Sequence, residues 1–89
     1  MMPVHKDRIQ ETISSLKQQR DELALQIHLG AIEVKQEYAD TLEKLDQLTE
    51  EFEPLKKAAT ESADNILSSL ELTSEEISNS FTRIRQSLK

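Results

Sequence analysis

At 89 residues and a net charge of −6, the chain is one small domain at most, and its three aromatic residues, Tyr38, Phe52 and Phe81, leave little bulk for a globular core. With no cysteine, disulfides and thiolate chemistry are excluded; with one glycine, so are phosphate-cradling glycine loops and nucleophile elbows. What remains in bulk is Leu, Ile, Ala, Glu, Gln, Lys and Ser, the composition of long helices.

Residues 1–6 are expected to fray, with Pro3 near a first helical turn. The stretch "MMPVHKDRIQ" lacks the apolar run of a secretory leader, and nowhere do eighteen apolar residues run together. The expectation is a cytoplasmic protein that does not span a membrane.

A main helix is predicted over residues 7–53. Its ambiguous part is "ELALQIHLGAIEVKQEY", where Leu23, Leu25, Ile27 and Leu29 alternate with Ala24, Gln26 and His28 as in a half-buried strand. Leu23, Ile27, Ala31, Val34 and Tyr38 recur at helical steps through the same residues. A lone strand has nothing to pair with and is unstable in water, so the stretch reads as helix. Leu25, Leu29 and Ile32 then form a second apolar stripe, which implies that this part of the helix touches more than one neighbour. Gly30 sits beside the main stripe, where a missing side chain permits close backbone approach.

Pro54 removes a helical hydrogen bond and clashes with the preceding turn, so a kink is expected there, followed by a second segment over residues 54–72. Thr73 and Glu76 have the spacing of a capping box, so a break near Thr73 and a last helix over residues 74–88 are also expected. The apolar stripe nevertheless stays in phase from Ile9 through Ile13, Leu16, Arg20, Leu23 and on to Ile66, Leu70, Thr73, Ile77, Phe81 and Ile84. A chain reversal usually resets that phase and needs turn residues, and neither site has them. The predicted fold is therefore all-α: an elongated coiled-coil or helical-bundle protein built on a long, kinked helix, with a helical hairpin as the second choice.

A helix of roughly 80 residues would run about 120 Å, and alone it would leave its whole stripe wet. The expected interface is the seam formed by Ile13, Leu16, Leu23, Leu25, Ile27, Leu29, Ile32, Val34, Tyr38, Leu42, Leu45, Leu48 and Phe52. Its occupant is a second copy or a partner protein helix. Ten acids against Lys35 and Lys44 in residues 21–53 oppose a parallel, in-register pair and favour antiparallel or staggered pairing. The same acidic block opposes nucleic acid, which needs a basic stripe. Arg20 falls on the seam, where its stem can lie among the aliphatics with its head in water.

No catalytic, cofactor or metal residues emerge, and no small-molecule substrate is expected. His5 and His28 are too far apart along a helix to share an ion, and acid pairs such as Glu33 with Glu37 and Glu43 with Asp46 read as a solvated face. The end of the chain, Ile77, Phe81, Ile84 and Leu88 with Arg83, Arg85 and Lys89, is amphipathic and basic enough for a lipid surface, though the same residues continue the stripe and complement a helix dipole.

"RDELALQIHLGAIEVKQEY", "ESADNILSSLELTSEEI" and the ending "FTRIRQSL" together resemble a loose group of small, uncharacterised bacterial coiled-coil proteins, over residues 20–88. Members of that group carry an acidic, often Trp-rich central helix and a "YxRIRxxL"-like end; this chain departs by having no tryptophan and by carrying Pro54. The resemblance implies a helical fold and a stress-related or scaffolding role, and it assigns no site residues. The functional expectation is a non-enzymatic interaction or structural protein. An apolipoprotein-like membrane-surface protein and a small accessory subunit of a larger complex are the alternatives.

Overall fold

The computed structural model describes the backbone of residues 5–57 and 63–88, and the side chains of residues 7–56 and 65–88. Three helices, α1 (His5–Ala24), α2 (Ile32–Lys57) and α3 (Ala63–Ser87), account for nearly all of these residues, with a 3-10 turn at Ile27–Leu29 and no strand among them. The fold is all-α. The segment 58–62 between α2 and α3 and the residues before His5 lie outside the described residues, as do the expectations made for them, whereas His5 and Lys6, expected to fray, belong to α1.

The chain folds back on itself instead of extending. The hydroxyl of Tyr38 in α2 reaches the carbonyl of Arg20 in α1 at 2.7 Å, Arg83 in α3 pairs with Glu37 in α2 at 2.9 Å, and Arg8 in α1 lies 3.7 Å from Glu71 in α3. These pairs make α2 antiparallel to both neighbours and set α1 and α3 side by side in the same direction. The molecule measures 45 × 18 × 16 Å, far from a rod of about 120 Å. The preference for a long rod over a reversal is thus corrected, and the physical reason is plain. A stripe that would need a second molecule in a rod is covered here by the chain's own other helices.

Each helix offers the core one row of residues at alternating steps of three and four, the spacing that keeps a seam facing its neighbours. In α1 the row is Ile9, Ile13, Leu16 and, beyond the half-buried Arg20, Leu23; in α2 it is Tyr38, Thr41, Leu45, Leu48 and Phe52; in α3 it is Leu67, Leu70, Ser74, Ile77, Phe81 and Ile84, all buried but Arg20. Leu45, Ile77, Phe81 and Ile84 have no exposed surface at all. The sequence reading places Leu42 and Thr73 on the row, one position away from the buried Thr41 and Ser74. Both small hydroxyls are satisfied within their own helices: Thr41 donates to the Glu37 carbonyl at 2.7 Å and Ser74 to that of Glu71 at 2.7 Å. A buried hydroxyl bonded in this way costs little, so an apolar residue is not required there.

Two further boundaries differ from expectation. Pro54 lies within α2, which continues to Lys57, so no helix ends at residue 53. α3 runs unbroken through Thr73, whose hydroxyl donates back to the Ser69 carbonyl at 3.1 Å and caps nothing. The predicted main helix over residues 7–53 is instead divided between Ala24 and Ile32.

Candidate interaction surface at the α1–α2 corner

The corner is built from residues 25–31, without any side-chain cap. Gln26 donates its backbone N–H to the Leu23 carbonyl at 2.9 Å, Leu29 to Gln26 at 2.9 Å and Gly30 to Ile27 at 3.0 Å, so the chain tightens from α-helix into a 3-10 turn. Gly30 then adopts an extended conformation, φ −84° and ψ 161°. The Ala31 carbonyl accepts from Val34 and Lys35, each at 3.0 Å, and opens α2, where Glu33 in the first turn suits the helix dipole.

Gly30 lies against Leu88, the residue that follows α3. A methyl group placed on it would lie 3.0 Å from Cδ2 of Leu88 and 3.2 Å from Cγ1 of Val34, tighter than an ordinary contact. What the missing side chain admits is the Leu88 side chain, where a close backbone approach was expected. Beside it, Glu22, Leu23, Gln26, Arg85 and Leu88 line a cleft of about 320 Å³ between the ends of α1 and α3.

The thirteen residues assigned to an interface divide into three groups. Ile13, Leu16, Leu23, Tyr38, Leu45, Leu48 and Phe52 are buried against the chain's own helices. Ile27, Val34 and Leu42 are partly buried and pack on the same core. Only Leu25, Leu29 and Ile32 face solvent, at 77%, 69% and 75% of their full exposure. Most of the seam is covered within the chain, whereas the second stripe is left uncovered by it and looks double because the chain turns within it. Elsewhere Ile66 and Leu72 on α3 are also exposed; Ile66, expected on the stripe four residues before Leu70, yields its place there to the buried Leu67.

Electrostatically the corner is quiet. Arg20 is half-buried, with Nε 3.0 Å from Asp21 Oδ1, so its stem lies along the seam and its head reaches the surface. Burial holds the Tyr38 phenol above its ordinary pKa, with the Arg20 charge opposing that rise and Asp21 adding to it. No group of three or more His, Asp or Glu side chains among the described residues could hold a metal ion. Among the described residues no helix is long and apolar enough to cross a membrane. Comparison of the chain with protein-family models, with curated proteins and with solved structures finds no match in any of the three.

Proposed function

We propose that the protein is a non-enzymatic helical interaction module that associates with its own kind or with a partner helix through the α1–α2 corner. The observation that supports this is the exposure of Leu25, Leu29 and Ile32 within eight residues of one another, at one end of a bundle whose other large aliphatics are mostly covered. Exposed aliphatics that are clustered, not scattered, are the usual mark of a contact surface. The resemblance to small bacterial coiled-coil proteins points the same way, toward a scaffolding role in the cytoplasm.

The membrane-surface alternative has less support. The face it needs, Ile77, Phe81 and Ile84, is buried in the bundle, and the corner is flanked by Asp21, Glu22 and Glu33, which oppose an anionic bilayer. An accessory-subunit role would use the same corner with a different partner.

The test is sedimentation equilibrium of the wild type against a Leu25→Ser, Leu29→Ser, Ile32→Ser variant, with circular dichroism as the folding control. Because none of the three side chains is in the core, the variant should keep its helix content and melting temperature. Its self-association should weaken relative to the wild type. Equal association in the two proteins would remove the corner from the interface, and helix gained only with anionic vesicles would favour the lipid reading.

A further inference from the structure

The corner between α1 and α2 departs from helical backbone over very few residues. Gln26 is in the right-handed helical region, at φ −112° and ψ −10°, and Ile27–Leu29 form a 3-10 turn of the same hand. No described residue has positive φ. The departure is marked at Gly30, whose ψ of 161° is about 160° from a helical value, two residues before α2 begins at Ile32. Leu25–Ala31 contains no proline, so nothing in it forbids an α-helix.

The seam is also in phase across the corner. Leu23, Ile27, Gly30 and Val34 follow one another at steps of four, three and four, so a straightened segment would carry one in-phase row from Ile9 to Leu55, apolar except at Arg20, Gly30 and Thr41. The register permits two such chains to cross: the contact between Arg20 and Tyr38 is centred on residue 29 and the cleft shared by Lys17 and Thr49 on residue 33, so the pairing is centred between the corner and the first turn of α2. Two opened chains related by a two-fold axis there would set α1 of each against α2 of the other in the register already used within one chain.

We propose that this corner is a hinge, and that rotation at Gly30 and Ala31 converts residues 5–57 into one helix which exchanges α1 with a second copy of the chain to form a dimer. Short connections between elements that can align invite such exchange, and the dimer reuses the packing of α1 on α2 and α3 while giving up the contacts of the turn itself. Gly30 sets the balance toward the folded-back form. It lowers the helix propensity of the opened segment, and it leaves room for Leu88 in the closed one. The inference deepens the self-association proposed above without depending on the exposed side chains. In the opened helix Leu25, Leu29 and Ile32 fall on the flank opposite the seam, so exchange does not bury them.

The experiment compares three full-length proteins by sedimentation at several concentrations: wild type, Gly30→Ala, and a chain with Gly-Ser-Gly inserted between Gly30 and Ala31. Gly30→Ala should tighten dimerisation about tenfold or more, because the alanine favours helix in both chains and crowds the closed corner. The insertion lets the helices reverse freely and should weaken dimerisation below the wild type. Exchange is told from docking by cross-linking. The chain has no native cysteine, and Lys17 and Thr49 line one cleft of about 100 Å³ between α1 and α2. In the Gly30→Ala background, a Lys17→Cys chain refolded together with a Thr49→Cys chain should give a disulfide between the two. A Gly30→Ala protein that remains monomeric with normal helix content, or a dimer lacking that cross-chain disulfide, would overturn the hinge. Should Gly30→Ala lose helix content, the insertion decides: dimerisation equal to the wild type's also overturns it. Serine substitution at the corner leaves these outcomes unchanged, so failure of the docking surface and failure of the hinge are separately visible.

Discussion

Tyr38 links all three helices. It projects from α2, places its ring 6.4 Å from that of Phe81 in α3, and donates its hydroxyl to the Arg20 carbonyl in α1. Burial disfavours the phenolate, so the folded protein binds this proton more tightly than the unfolded chain does. The stability linked to it is complete below the unfolded phenol pKa of about 10 and is lost as pH rises through the higher folded value. Denaturant melts at increasing alkaline pH should show that loss in the wild type, and Tyr38→Phe should flatten the profile while lowering stability at neutral pH by about 1 kcal/mol for the missing hydrogen bond. Phe81 and Ile77, with no exposed surface, mark the most sensitive positions. Truncation of Phe81 to alanine should cost about 3–5 kcal/mol, close to the whole stability of so small a domain, and calorimetry should find the variant largely unfolded at 37 °C. By contrast, Arg83→Ala removes a pair that is more than half exposed on the arginine side, and its cost of under about 1 kcal/mol should vanish at high salt.

Among the elements, helices were legible because their apolar rows are long and regular, while the reversal between α1 and α2 was not. Ala24 is followed by no strong stop signal, neither Gly30 nor Ala31 has a side-chain oxygen to cap α2, and the row remains in phase through Ile27 to Val34. The turn is set by tertiary packing: once α3 covers the same row, a folded-back chain buries what a rod leaves wet. The apparent break at Thr73 misled for the opposite reason, since a capping-box spacing is only a local preference and the buried row of α3 continues through Ser74. Thr41 and Ser74 are not legible as seam residues, because a hydroxyl fits a seam only when a carbonyl of its own helix accepts its proton, as here. Of the expected interface, the residues were recognised as a buried row but the identity of what covers them could not be read, since intramolecular and intermolecular seams share one pattern. Pro54, exposed and inside the last turns of α2, deprives that helix of a hydrogen bond. Pro54→Ala should raise the melting temperature, as followed by the helical circular dichroism signal.

For the molecule as a whole, the distinction between bundle and rod is large enough for solution scattering. Folded-back monomers should give a radius of gyration near the 14.4 Å of their Cα atoms, whereas a rod of about 120 Å would give roughly 35 Å. An exchanged dimer would fall between these limits and shift with concentration. The parallel placement of α1 and α3 leaves each helix in contact with both others, so no single helix can detach without uncovering the remaining two. Cooperative, two-state melting follows from that arrangement. The seat of Tyr38 also has a practical meaning. As the sole tyrosine in a chain without tryptophan, it is a built-in fluorophore with no competing emitter, positioned where three rods meet. Its quantum yield and anisotropy therefore read out the assembly state of the central layer directly, in the native protein and with no dye attached.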